Sequence, residues 1–314
     1  MRVFVTGASG FIGSHVTRAL VAAGHEVAAL RQSGDSAWRL RDVAGRVVFV
    51  AGDLGDVPGF RTALEAWRPE ACVHLAWYAE PGKYLDSPVN LDCLAGSLAL
   101  LRTLADLSCR RVIGVGSCAE YRRAAVMVAE DAPVGPDTVY AACKLAFKVA
   151  AEPFAALRGL RFAWARVFYL YGPDEDPRRL IPSAIQAMLG GEAFPTGSGD
   201  QRRDYLHVHD VAAGLVRLVD AEATGAFNVA SGATVTVREI LETVADLAGP
   251  SCRRLLQFGV RPPGAWDPPF VGGDNRRLRA TGWAPHYDLR DGLRQALEWW
   301  RERLDGRTGE RPCD

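Results

Sequence analysis

The stretch Thr6-Gly7-Ala8-Ser9-Gly10-Phe11-Ile12-Gly13-Ser14-His15-Val16 constrains the fold of this chain more than any other. It follows an apolar run at residues 2–6 that reads as a short buried strand, and it opens a segment with helical apolar spacing. Glycines at 7, 10 and 13 in that strand-to-helix order suit a turn where backbone N–H groups at a helix N-terminus meet a pyrophosphate. A Cβ at those positions would block the approach. Phe11 and Ile12 fall in the same turn, so a dinucleotide site is expected over Gly7, Gly10, Phe11, Ile12 and Gly13.

Further β-type runs lie at 26–30, 47–50, 71–76, 111–116 and 161–167, and helical patterns such as 94–107 and 140–157 separate most of them. Repeated β-α units predict an α/β fold with a doubly wound parallel sheet of the Rossmann type, covered on both faces. After Tyr171-Gly172-Pro173 the texture becomes richer in proline and glycine. The expected division is a dinucleotide-binding domain over 1–170, rejoined by about 204–230, and a smaller C-terminal substrate-binding lobe over 171–314. The polar end, 305–314, is expected to fray.

The 37 basic and 37 acidic residues cancel, so no field of one sign is available for a nucleic-acid backbone or an anionic membrane. No run approaches the roughly 18 apolar residues of a membrane span, and the N-terminus lacks the apolar core of a signal peptide. Seven cysteines, an odd number without a C-x-x-C pair, read as reduced thiols. A cytoplasmic location is expected.

The tip of the second strand selects the cofactor in such folds, where an acid binds ribose hydroxyls and a base pairs with the extra phosphate of NADP. Here the tip is Arg31, with Ser33 nearby, so NADP(H) is favoured. A solvated Arg31 and NAD(H) remain the alternative. Asp53 and Leu54, after the third strand, are expected near the adenine, and Ala76 beside the cofactor.

Tyr140 and Lys144, spaced i, i+4, share one helix face. An adjacent ammonium stabilises a phenolate, so Lys144 is expected to lower the Tyr140 pKa and make it a general acid or base. With eight tyrosines and three lysines (83, 144, 148) in 314 residues, this spacing is a poor candidate for coincidence.

The glycine turn, His74-Leu75-Ala76-Trp77, Ser117, Tyr140-Ala141-Ala142-Cys143-Lys144, the run 166–173 (RVFYLYGP) and the run 202–212 (RRDYLHVHDVA) together resemble the extended short-chain dehydrogenase/reductase family. Within it the chain is similar to nucleotide-sugar epimerases, dehydratases and ketoreductases. The resemblance implies a catalytic triad of Ser117, Tyr140 and Lys144 acting on a sugar carbinol or ketone beside a nicotinamide. Dehydratases of the family follow that serine with an Asp-Glu pair, whereas this chain has Cys118-Ala119, which disfavours dehydration. Cys118 reads as packing at the substrate pocket, and Glu120 as a solvated or structural carboxylate.

A triad without that acid pair leaves two activities open. Reduction of the C4 ketone of a nucleotide-linked 4-keto-6-deoxyhexose, with a dTDP carrier, is the preferred expectation because Arg31 suits NADPH. An NAD-dependent nucleotide-sugar 4-epimerase is the alternative, and a non-catalytic NADP(H) sensor a second one. By resemblance Arg203 and Arg261 meet the diphosphate, although the acid that usually follows the second has moved. Tyr169 stands where many members carry an asparagine. Trp77 and Tyr78 either wall the sugar pocket or belong to the core. His207 and His209 could suggest a metal, but no further ligand is evident and none is expected. Asp210 reads as the N-cap of a helix over 211–219. The helices 94–107 and 140–157 carry the faces that family members use for a four-helix homodimer contact.

Overall fold

A computed structural model describes residues 1–262 and 267–306. Most of the tail expected to fray, from 307 onward, lies outside the described residues, as do 263–266 within the run that follows Arg261.

Six strands open the chain: β1 (Arg2–Thr6), β2 (Glu26–Arg31), β3 (Val47–Ala51), β4 (Ala71–His74), β5 (Arg111–Ser117) and β6 (Arg161–Val167). With a later strand, Gly225–Val229, they form one parallel seven-stranded sheet in the order (225–229)-β6-β5-β4-β1-β2-β3. The order reverses between β1 and β4. At that switch point two successive connections leave in opposite directions and open a crevice at the carboxyl ends of the strands. The edge strand 225–229 escaped the sequence reading because Gly225-Ala226-Phe227-Asn228-Val229 is short and interrupted by a polar residue.

Strands buried on both faces read as near-continuous apolar runs, and β1, β2 and β4 do so. Against one face lie α1 (Phe11–Ala22) and a later helix, Val208–Asp220, burying Val16, Leu20, Val211 and Leu215. Against the other lie α2 (Val57–Trp67), α3 (Val89–Asp106) and α4 (Val139–Leu157), burying Phe60, Leu64, Leu100, Leu104 and Phe147. A separate core joins Leu180–Gly190, Val237–Ala248 and the last helix, Leu289–Asp305, around Ile185, Leu241, Leu297 and Trp300.

The helix expected from 211 begins three residues earlier, and His207 rather than Asp210 caps it, accepting from the His209 N–H at 3.4 Å. Asp210 sits buried inside the first turn, and its two carboxylate oxygens accept the His286 and Tyr287 backbone N–H groups at 2.8 and 3.0 Å. Its carboxylate ties the helix to the segment before the last helix.

Candidate active site

The first strand ends at Thr6, and Gly7 turns with φ +69, a conformation L side chains rarely adopt. A Cβ on Gly7 would stand 2.7 Å from Ala76 N, and one on Gly13 only 2.0 Å from Gly7 O. Gly10 is the N-cap of α1 and offers no side-chain cap, so the helix N-terminus stays open to an anion. The cradle therefore fits a dinucleotide pyrophosphate on sterics and on donors.

A hydrogen-bonded chain ties this turn to β4. The Ala76 N–H donates to Thr6 Oγ1 at 3.2 Å, Thr6 Oγ1 meets His74 Nδ1 at 2.7 Å, His74 Nε2 meets Ser97 Oγ at 2.8 Å, and Ser97 donates to Cys93 O at 2.6 Å. Ser97 has committed its proton to a carbonyl, which assigns Nε2–H to His74 and leaves Nδ1 to accept from Thr6. Burial, with Lys144 adding to it, lowers the His74 pKa to about 3, so the ring is neutral. Spacing alone did not reveal this latch, since its members lie on three elements.

A cleft of about 680 Å³ opens above the switch point. Gly7, Gly10, Phe11, Ile12, Gly13, Ala76, Trp77, Ser117, Cys118, Tyr140, Lys144 and Tyr169 all line it. Arg31, Ser33, Asp53 and Leu54 do not. The Arg31 guanidinium lies over the Phe49 ring at 5.1 Å and is exposed. Asp53 caps a turn by accepting from Gly55 N at 2.7 Å and also accepts from Gln32 Nε2 at 2.6 Å. The basic group that does reach the glycine turn is Arg39, which donates to Ser9 O and Asp174 O at 3.3 and 3.0 Å. It escaped notice because the 3-10 turns at Trp38–Arg46 that carry it have no apolar periodicity to mark them.

Ser117 ends β5 and caps the next turn, its hydroxyl accepting from Ala119 N at 3.2 Å while Glu120 Oε1 accepts from Ser117 N at 2.8 Å. The structure excludes a solvated Glu120. Its side chain is fully buried, with Arg166 Nε at 2.8 Å and Trp164 Nε1 at 2.9 Å from Oε2. A Cβ on Gly116 would stand 2.3 Å from Glu120 Oε1, so the glycine before Ser117 makes room for the acid that orients it. Removing one partner of a buried ion pair leaves the other uncompensated, at a cost of about 3–5 kcal/mol. Glu120→Ala is accordingly expected to lose that much stability in urea unfolding; an unchanged midpoint would show that the pair holds nothing.

Tyr140 lies in the first turn of α4, where Thr138 Oγ1 caps the helix by accepting from Ala141 N, and its backbone N–H donates to Leu85 O at 2.8 Å. Lys144 follows one turn later, buried, its Nζ donating to Val115 O at 2.7 Å and lying 5.9 Å from the Tyr140 ring centre. Burial lowers Lys144 to about 7. Burial also pushes the Tyr140 phenol above its ordinary value, with Tyr84 adding to the shift and a hydrogen bond with Ser117 opposing it. The expected acidification of Tyr140 by Lys144 is thus reversed in this state, because the ammonium is turned to a carbonyl and desolvation of the phenolate dominates.

Arg203 is buried and ion-paired with Asp267, which also accepts from Gln201 Nε2 at 2.6 Å. The acid displaced along the run after Arg261 is the one that fixes Arg203. Neither Arg203 nor Arg261 lines the cleft; Arg203 stacks on Tyr169 at 5.4 Å, one layer behind it, and Arg261 is exposed. Arg179, Tyr84, Tyr205 and Glu175 line it instead. Glu175 is held by burial near a pKa of about 8. Burial pushes the Cys118 thiol up to about 12, which leaves it a packing group. Trp77 lines the cleft, whereas Tyr78 points to Glu80 at 3.0 Å and does not. Among the described residues no group of three or more His, Cys, Asp or Glu side chains is placed to hold a metal ion.

Residues 3–230 match the model of the NAD dependent epimerase/dehydratase family. The chain belongs to that family. A UDP-glucose 4-epimerase from Azospirillum brasilense is 32% identical over 98% of this chain and 95% of that protein. A GDP-6-deoxy-D-mannose reductase from Pseudomonas aeruginosa is 30% identical over 96% of this chain and 98% of that one. Among solved structures, the Thermus thermophilus UDP-glucose 4-epimerase in complex with NAD superimposes with a TM-score of 0.85 at 28% identity, covering 96% of this chain and 99% of that one. As a member of the NAD dependent epimerase/dehydratase family the chain is a nicotinamide-dinucleotide enzyme by kinship, and among the described residues no helix is long and apolar enough to cross a membrane.

Proposed function

We propose that this chain is a nucleotide-sugar 4-epimerase working through Ser117, Tyr140 and Lys144. The observation that carries the reading is the convergence of those three side chains on the cleft that begins at the glycine cradle. Full-length similarity to UDP-glucose 4-epimerases supports it, and places this reading ahead of the ketone reduction that Arg31 first suggested.

A nicotinamide dinucleotide on the cradle of Gly7, Gly10 and Gly13 would supply a hydride acceptor and donor. Tyr140, whose phenol burial keeps protonated, must lose that proton before it can take the C4 hydroxyl proton as the alcohol becomes a ketone, and it returns the proton afterwards. Ser117, held by the Glu120 turn, hydrogen-bonds the same oxygen. Lys144, brought down by burial to about 7, supplies a charge beside the reacting groups, its ammonium bonded to the Val115 carbonyl and the field of Glu120 favouring its charged form. Ala119 offers no base where a dehydratase needs one, so water is not eliminated. Arg179, Tyr84 and Tyr205 wall the sugar.

The test is conversion of UDP-glucose to UDP-galactose, followed by anomeric proton signals, with no net change in reduced cofactor. A 4-ketoreductase is the second reading, favoured by Arg31 at the β2 tip, by the Pseudomonas reductase and by a Tyr140 that rests as a proton donor. It requires stoichiometric loss of NADPH absorbance with an NDP-4-keto-6-deoxyhexose. Failure of both assays with bound dinucleotide would leave only a sensor.

The assembly we propose is a homodimer through α3 and α4. Leu91, Leu98 and Val149 expose 58%, 38% and 61% of their area on these two neighbouring helices, apolar surface that a second copy would cover. Sedimentation should give twice the 34.0 kDa chain mass. Leu98→Glu with Val149→Glu should give the single mass; a parent chain already sedimenting as one copy refutes the dimer.

A further inference from the structure

Lys144 has an aromatic neighbour that the proposed chemistry leaves unexplained. Its Nζ lies 4.0 Å from the centre of the Trp77 ring while donating to Val115 O at 2.7 Å. Glu120, the carboxylate whose field favours the charged lysine, is already bonded to Arg166 Nε at 2.8 Å. A buried ammonium in that situation gains most from the negative face of an indole, because cation–π attraction strengthens as water is removed.

Trp77 is held for that contact. Its Nε1 donates to Asn90 Oδ1 at 2.8 Å, and Asn90, fully buried, spends its amide group on Tyr84 O and Ser87 O at 2.7 and 2.8 Å. Tyr84 in turn packs edge-on against Tyr140 at 4.8 Å, and Trp77 does so at 6.5 Å. One asparagine therefore fixes both rings that touch the Tyr140–Lys144 pair.

We infer that Trp77 is a positioning residue for Lys144: its indole face, locked by Asn90, holds the ammonium charged and against the Val115 carbonyl, one helical turn from Tyr140. The inference rests on the reading that Lys144 belongs to the catalytic set. The other groups that face this lysine are Glu120 beyond β5 and Cys93 on α3, which favour its charged form, neutral His74 on β4, and Tyr140 on its own helix. Since burial, against the opposing fields of Glu120 and Cys93, brings Lys144 down to about 7, loss of the indole face removes charge in the working pH range.

The experiment is a pH titration of ¹³Cε-lysine signals, which the three lysines of the chain keep assignable, in the parent protein, Trp77→Phe and Trp77→Leu. Lys144 should titrate about one pH unit lower in Trp77→Leu and by a smaller amount in Trp77→Phe. The alkaline limb of kcat should move by the same intervals. Midpoints that are unmoved or raised in both variants overturn the inference; should the leucine variant not fold, Trp77→Phe alone decides. Lys144→Ala separates the two levels. Parental turnover in that variant would overturn the catalytic reading itself, whereas an inactive Lys144→Ala beside unshifted Trp77 variants overturns only the role of Trp77.

Discussion

Tyr140→Phe should lower kcat by about a thousandfold, within the range of two to four orders typical for loss of a positioned proton donor or acceptor. The substitution removes one oxygen and keeps the ring that packs edge-on against Tyr84 at 4.8 Å, so the fold of the cleft is retained. Dinucleotide binding, read by fluorescence titration, should change by no more than a few fold because the glycine cradle lies on other elements. A variant with parental turnover would mean that the C4 oxygen trades its proton with some other group, and the mechanism proposed above would fall. A variant that loses binding and turnover together would mean that the phenol serves the architecture.

Acid should destabilise the fold steeply and early. Burial lowers His15, His74 and His207 to about 3 from an ordinary 6.5. Each is a base whose protonated form the folded state disfavours. Below pH 6.5 the unfolded chain takes up protons that the folded chain refuses, so stability present above 6.5 is lost as pH falls toward 3. Each such group contributes up to about 1.4 kcal/mol per pH unit in that window. Glu175, raised to about 8, has the opposite sign between 8 and about 4.5 and offsets one histidine over most of the range. A net loss of about 3 kcal/mol per unit then remains, against a total that seldom exceeds 15. The midpoint of thermal unfolding should fall continuously from pH 6.5 to 4.5, and less so in His207→Gln. A midpoint constant over that span would show that these rings are not held neutral.

The sheet was legible in the sequence because buried parallel strands are written as unbroken apolar runs, and the cradle because only glycine permits the φ of Gly7 and the contact between Gly13 and Gly7 O. Tyr140 and Lys144 were legible because helical spacing brings i and i+4 together. What escaped depends on contacts between distant segments. Asp267 lies 64 residues from the Arg203 it fixes, and Arg39 reaches the cleft from a stretch of 3-10 turns without apolar periodicity. The charge state of Tyr140 escaped for another reason: proximity in sequence predicted an attraction, but where the lysine aims and how far water is excluded set the outcome.

The return of the chain at 205–229 makes the two lobes interwoven. After leaving β6 the backbone builds part of the second lobe, comes back to supply the Val208–Asp220 cover and the 225–229 margin of the sheet, and departs again. No cut through the sequence yields two self-sufficient halves, since a fragment ending at 170 would leave the apolar flank of β6 and the back of α1 bare. Exchange of the second lobe as one block onto another sheet of this kind is thereby obstructed. New specificities on such a scaffold are more readily reached by replacing residues within the loops than by exchanging whole modules.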